Sequence, residues 1–286
     1  MIDMHVHSYW SDGEYSPYRL VQEAKERNLE AIVLADHDTF AGKEEMLEAG
    51  KELDFPVSMG IEISCMESES KKQIHILGYG LDEYGMSQIE EYCLPVRNSL
   101  KWEMDKVIYA LEKAGYPLDW KRLYQKVGPS LCIYKQMIME EFIENGLCTS
   151  LYGGLYKELF KTGKDGLPPI AKLEFEYNNP IEAVGYIHEL GGVAVLAHPG
   201  QYDSYAIIPE LVEVGLAGIE VYHPKNKEQD IERCLEIAKR YNLHITGGSD
   251  FHGRYGEGER IGAFGVLENS FSQNSNLKDR VVNSDS

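Results

Sequence analysis

The chain has 286 residues, 43% apolar and 26% charged, a balance that excludes a disordered, collagen-like or coiled-coil polypeptide and supplies a sizeable core. Its 28 basic and 47 acidic residues leave a net charge of −19, which disfavours coating of an extended nucleic-acid duplex. No apolar run approaches the ~20 residues of a membrane helix, the start Met1-Ile2-Asp3-Met4-His5 lacks a leader pattern, and five scattered cysteines indicate neither a disulfide framework nor a thiolate zinc site, so a cytoplasmic protein is expected.

Ile2–His7 reads as a strand. Ser16-Pro17 reads as an N-cap with proline at the first helical position, opening a helix to about Asn28. Ala31–Ala35 predicts a buried strand, Lys43–Leu53 a helix, and Val57–Ser64 and Ile74–Gly78 two more strands. From Gly85 to Lys164 the pattern is helical throughout, over Met86–Gly115, Pro117–Val127, Ile133–Asn145 and Ser150–Lys161. Alternation resumes with a helix at Ile181–Leu190, a strand at Val193–Ala197 and a short helix near Pro209–Val214. A strand at Gly218–Tyr222, a helix at Lys227–Tyr241 and a strand at His244–Gly247 follow.

Strands alternating with helices predict an α/β protein with a parallel sheet and helices outside; seven strands suit a closed β/α barrel. The expected divisions are 1–84, the first part of the barrel; 85–164, an inserted helical domain; 165–268, the second part; and 269–286, a loose Asn- and Ser-rich tail. Charge divides the same way. Arg97–Lys172 holds twelve basic and nine acidic residues, a net of +3, against sixteen basic and thirty-eight acidic residues elsewhere, a net of −22. An anionic substrate approaching so acidic a body needs recognition beyond bound cations, so the insertion is expected to act as a lid over the active face.

The chemistry-bearing residues fall near predicted strand ends. His5 and His7 alternate on the first strand, so both imidazoles can face one metal ion. Asp12 follows in the next loop, Asp36-His37-Asp38 after the second strand, Glu62 in the third and His75 in the fourth. His198 follows the strand Val193–Ala197, and Asp250 and His252 follow the last strand. In a β/α barrel the C-terminal strand ends form one active face. Nitrogen and carboxylate ligands without sulfur suit Mn, Fe or Zn, and so many of them imply two or three ions. Asp36 and Asp38 are expected to support His37 rather than to ligate. His223 ends a strand, where it can contact phosphate or donate a proton, and Arg254 can reach the pocket from a strand-end loop. His188, inside a helix, and His244, at a strand start, read as core or surface residues.

The combination of His5-x-His7 with Ser11-Asp12-Gly13, Asp36-His37-Asp38, Gly60-Ile61-Glu62, His75, Ala197-His198-Pro199 and Ser249-Asp250-Phe251-His252-Gly253 resembles the PHP superfamily of polymerase and histidinol phosphatase domains. The resemblance implies a distorted seven-stranded, TIM-like β/α barrel holding up to three divalent metals. His5, His7, Glu62 and Asp250 would bind the first. Glu62 would bridge to a second, completed by His75 and His198, and Asp12, His37 and His252 would hold a third. The implied activity is phosphate-ester hydrolysis by a metal-bridging hydroxide oriented by Glu62 and Asp250, with His223 as a candidate proton donor.

The subgroup most similar is that of stand-alone phosphoesterases with a helical insertion, resembling 3′,5′-bisphosphonucleotide phosphatases and enzymes trimming short RNA from its 5′ end. A phosphate monoester or short nucleotide, 3′,5′-bisphosphonucleotides included, is therefore the expected substrate. Where that pattern has Arg-Pro-His, this chain has Ser130-Leu131-Cys132, followed by Ile133-Tyr134-Lys135, which leaves Lys135 as the cationic phosphate contact. Three other readings stay open: a histidinol-phosphate-type phosphatase, a metal-dependent amidohydrolase and a non-catalytic metal-binding module.

Overall fold

The computed structural model describes residues 1–127, 129 and 132–266; the expected tail at 269–286 and Ser130 and Leu131 of the insertion lie outside the described residues. The chain divides into two units, Met1–Cys93 with the chain from Tyr177 onward, and Leu94–Glu176.

The first unit holds one sheet of seven strands in sequential order: β1 (Ile2–Val6), β2 (Ala31–Leu34), β3 (Val57–Met66), β4 (Gln73–Tyr79), β5 (Val193–Leu196), β6 (Leu216–Tyr222) and β7 (His244–Gly247). β1, β2 and β3 run parallel, as do β5, β6 and β7, but β4 is antiparallel to both its neighbours. The expectation of a wholly parallel sheet is thereby corrected. Residues 67–72 alone join β3 to β4, too short for a parallel crossover and long enough for a hairpin. The sheet curls until its edges meet through loop backbone: Ile2 and Val266 exchange two hydrogen bonds (2.8 and 2.9 Å), His7 N donates to Phe251 O (3.0 Å) and Asp250 N to His5 O (2.8 Å). The result is the distorted barrel.

Helices α1 (Pro17–Glu26) and α2 (Lys43–Leu53) follow β1 and β2. Ser16 caps α1 by accepting a hydrogen bond from Arg19 N, with Pro17 entering the first turn. α3 (Glu83–Lys113) begins in this unit, and α7 (Pro180–Glu189), α8 (Pro199–Tyr202), α9 (Ile208–Glu213) and α10 (Glu228–Tyr241) follow Tyr177. The barrel interior is filled by Ile2, Met4, Val33, Leu77, Tyr79 and Val195. An outer layer, including Ile61, Ile76, Ile187, Leu211 and Ile219, joins the sheet to the helices. Burying each such side chain stabilises the fold by about 1.5–3 kcal/mol. Ile89 and Cys93 of α3 belong to that layer, which is why the units part at 93/94 and 176/177 rather than at 84/85 and 164/165.

The second unit contains the rest of α3, α4 (Trp120–Lys126), α5 (Lys135–Glu144) and α6 (Gly154–Lys157), which runs into a π-helical turn at Glu158–Thr162. Its buried residues include Ile108, Leu111, Leu123, Ile138, Phe142 and Leu159, and Lys126 Nζ pairs with Glu140 (3.0 Å) and Glu144 (2.9 Å). Among the described residues no helix is long and apolar enough to cross a membrane.

One irregularity positions the chemistry. The β1–β2 register shifts between Asp3 and Val6. Ile2 and Met4 pack inside the barrel, whereas Val6 packs outward with Leu20 and Leu34. The shift thus reverses the strand's alternation and turns His5 and His7 together to the inner face. Asp3 holds the neighbouring loops, accepting hydrogen bonds from Ser249 N (2.9 Å), Gly262 N (2.7 Å) and His5 N (3.3 Å). Gly248 closes the arrangement, because a Cβ there would lie 2.3 Å from His5 Cβ and 2.6 Å from His5 N. Gly248→Ala is therefore expected to cost about 1–3 kcal/mol through overpacking, and to lower metal affinity by displacing His5. Unchanged thermal unfolding and unchanged metal binding would count against this account.

Candidate metal centre

Glu62 lies at the centre of the inner face, 1% exposed, with five histidines around its two oxygens. Oε1 meets His75 Nδ1 at 2.7 Å and His198 Nε2 at 2.8 Å. Oε2 meets His7 Nε2 and His37 Nδ1 at 3.2 Å each and His5 Nε2 at 3.3 Å. Burial alone would raise the Glu62 pKa, but His37, His75 and His5 outweigh it and hold the carboxylate well below its usual range. His75 reaches this point because β4 is reversed. It stands early in its strand, and an antiparallel strand begins at the end of the barrel where its neighbours finish.

Asp250, after β7, faces the same point, with Oδ1 3.1 Å from His7 Nε2 and 3.6 Å from His5 Nε2. Its Oδ2 is 3.2 Å from His223 Nε2. Asp12 Oδ1 lies 3.1 Å from His252 Nε2. Four overlapping donor groups result, each with its candidate ligand atoms within 4.8 Å of one another: His5, His7, Glu62 and Asp250; His37, Glu62 and His75; His7, Asp12, His37 and His252; and His5, Glu220 and His223.

Those donors fit divalent cations. His5 Nδ1 donates to Glu220 Oε1 (3.0 Å), which leaves the lone pair of neutral His5 on Nε2, facing His7 Nε2 at 3.1 Å and the carboxylates of Glu62 and Asp250. Lone pairs and anionic oxygens converging in a buried space need protons or cations between them. His37 Nδ1 is buried without a hydrogen-bond partner although Glu62 is near. Burial pulls the His37 pKa down to about 4, so the ring is neutral and able to ligate. Burial also opposes a charge on His252, but Asp12 and Asp250 overcome it and raise its pKa to about 10.

The site is built by distorted backbone. His198, Asp250 and Asp38 have φ of 24°, 50° and 56°, which non-glycine residues adopt at a cost, held here by their surroundings. Asp36 supports the loop carrying Asp12: its oxygens accept from Ser8 N (2.8 Å), Ser8 Oγ (2.6 Å) and Ser11 Oγ. Asp38 Oδ1 accepts from Ser64 N (2.8 Å).

The nine candidate ligands read from the sequence are thus adjacent in the first unit, with His223 completely buried beside Asp250. Arg254 pairs with Glu14, its Nε 3.1 Å from Glu14 Oε1. Lys135 is in the second unit, at the start of α5, with Nζ 5.9 Å from the Phe160 ring centroid; burial and Lys161 pull its pKa down to about 8. His188 and His244 belong to none of the donor groups. Sequence reasoning missed Asp3, Glu220 and Tyr202, whose ring centroid lies 5.4 Å from that of His75 and 5.7 Å from that of His198. The signal for Glu220 was a lone carboxylate in the apolar run Gly218-Ile219-Glu220-Val221-Tyr222.

Residues 3–144 match the PHP domain. The chain is 39% identical over 265 residues to a phosphoribosyl 1,2-cyclic phosphate 1,2-diphosphodiesterase from Eggerthella lenta, covering 91% of this chain and 97% of that protein. It is 28% identical to a 3′,5′-nucleoside bisphosphate phosphatase from Chromobacterium violaceum, covering 91% and 89%. Among solved structures, one described as a metal-dependent phosphoesterase from Bifidobacterium adolescentis superposes with a TM-score of 0.86 at 25% identity, covering 98% of this chain and 96% of that one. An amidohydrolase from Chromobacterium violaceum, with bound sulfate and no metal, gives 0.81 at 26% identity and the same coverage. Donor set, fold and sequence agree: the chain belongs to the PHP domain family and is a metal-dependent phosphoesterase.

Proposed function

We propose that the chain hydrolyses a cyclic phosphate ester on a small ribose phosphate, of the phosphoribosyl 1,2-cyclic phosphate class, with two or three Mn, Fe or Zn ions held by the nine residues around Glu62. The observation carrying the multi-ion reading is that the donor groups overlap, sharing His5, His7, His37 and Glu62. Cations held so close together can act on one phosphate. The substrate class is favoured by the near full-length 39% identity to the relative of that name, against 28% to the bisphosphate phosphatase. Ser130-Leu131-Cys132, in place of the Arg-Pro-His of the nucleotide-handling pattern, points the same way.

Bound divalent cations supply a water of pKa near ~7 and offset phosphate charge. The protein's part is placement and hydrogen bonding. Glu62 joins the donor groups, and Asp250 links them to His223. His223 Nδ1 accepts from Lys225 N (3.1 Å), so its proton sits on Nε2, directed to the Asp250 side of the site. From Nε2 it can donate a hydrogen bond to the leaving ribose oxygen, which takes up a proton lost by the attacking water as that water's oxygen bonds to phosphorus and the P–O ester bond breaks.

A panel assay on metal-loaded enzyme tests this, with a ribose 1,2-cyclic phosphate, a nucleoside 3′,5′-bisphosphate, histidinol phosphate, an aryl phosphate and an amide as substrates. The expected result is a kcat/KM for the cyclic phosphate at least about tenfold above the others, a discrimination of about 1.4 kcal/mol in transition-state binding. Preference for the bisphosphate would transfer the chain to the nucleotide reading, and turnover of the amide alone would remove it from phosphate chemistry.

A further inference from the structure

We propose that Glu220 is a positioning residue that presets two candidate metal ligands, His5 and His198, on either side of Glu62. The inference rests on the metal-dependent reading and extends it to a residue outside the nine candidate ligands.

Glu220 stands on β6 between Ile219 and Val221, both of which pack in the outer layer, so its own side chain points into the barrel, where it is wholly buried. A buried carboxylate is costly unless its oxygens are satisfied. Here the two oxygens serve different partners. Oε1 accepts from His5 Nδ1 at 3.0 Å, and Oε2 accepts from His198 N at 2.9 Å.

The first bond sets a tautomer. An ionised carboxylate only accepts, so Nδ1 must carry the proton and Nε2 must carry the lone pair, which faces Glu62 and Asp250. The second bond holds backbone. His198 has φ of 24°, and its N–H is anchored while its Nε2 reaches Glu62 Oε1 at 2.8 Å. Asn226 steadies the strand beneath, its Nδ2 donating to Glu220 O (3.1 Å) and Val221 O (3.0 Å), and its Oδ1 accepts from Gly200 N (3.0 Å), two residues past His198. One side chain therefore orients two histidines that approach opposite oxygens of Glu62.

Glu220→Gln separates this role from packing. The amide has almost the same shape but one acceptor for two donors. Its NH2 must face either His5, forcing a proton onto Nε2, or the His198 N–H, which it repels. The expected result is a Mn²⁺ affinity, measured by chelator competition on the folded variant, about 10- to 100-fold weaker than wild type. The near-UV circular dichroism should be preserved. Undiminished affinity beside a metal-binding wild type would overturn the role of Glu220 alone; wild-type protein that binds no Mn²⁺ would overturn the metal-dependent reading with it. If Glu220→Gln does not fold, ¹⁵N spectra of histidine-labelled, metal-free wild type decide. His5, assigned by loss of its signals in His5→Ala, must carry a proton on Nδ1, whether or not Nε2 carries one as well, and a ring protonated on Nε2 alone overturns the proposal.

Discussion

Glu62→Gln is expected to abolish turnover, lowering kcat by more than the roughly 100-fold that marks the upper range for loss of an outer partner of a metal ligand. The two oxygens of Glu62 collect five imidazoles, three of them on Oε2 and two on Oε1. An amide in that position presents one neutral oxygen and an NH2 group to nitrogens that must offer lone pairs to cations. No rotation of the side chain serves both sides. The variant should bind fewer ions per chain than wild type, while Glu220→Gln, which leaves all nine candidate ligands in place, should retain more activity than Glu62→Gln. The reverse order, or near-normal kcat in a folded, metal-loaded Glu62→Gln protein, would place the reaction centre elsewhere.

The same residue shows what the sequence made legible. His5, His7, Glu62 and Asp250 could be brought together on paper because period-two alternation and strand-end placement are local patterns. The structure groups those four. The direction of β4 is not local, since it depends on which edges pair. Yet a signal was there: the short stretch between the Glu62 and His75 strands cannot hold a crossover helix. The register shift that turns His5 inward has no equivalent signal. Met4 and Val6 share parity in the sequence and pack on opposite faces because of pairing with β2.

Supporting residues were harder to read than ligands. Asp36 flanks a histidine, but its carboxylate holds Ser8 and Ser11 in the loop carrying Asp12, and Asp3 acts on Ser249 and Gly262, some 250 residues away in the chain. Glu220 stands out as a lone carboxylate in an apolar strand, but nothing in that seven-residue pattern says what the carboxylate serves. Its significance emerges only when its two acceptor oxygens are followed to two different histidines. Ligands therefore announce themselves by residue type, and their supports by geometry.

Removal of divalent metal is expected to eliminate activity and to lower the unfolding temperature, both reversibly. The centre concentrates Glu62, Asp250, Asp12 and Glu220 in a buried space, so cations that bind the folded chain stabilise it by linkage. A single ion at one hundred times its dissociation constant contributes about 2.7 kcal/mol, or roughly 5–10 °C at ~2–4 °C per kcal/mol for a chain of this size class. Protons compete for the same atoms. Without metal, His252 is raised to about 10 by Asp12 and Asp250 against the opposing effect of burial, so it is charged at pH 7 and must lose its proton to ligate. Metal loading at pH 7 should therefore release protons, and affinity should weaken as pH falls. Calorimetric titration in two buffers of different ionisation enthalpy measures that release, and scanning calorimetry with and without chelator measures the stabilisation. Full turnover after chelation to below one equivalent of metal per chain would refute metal dependence, and metal binding without proton release would refute the placement of a cation beside His252.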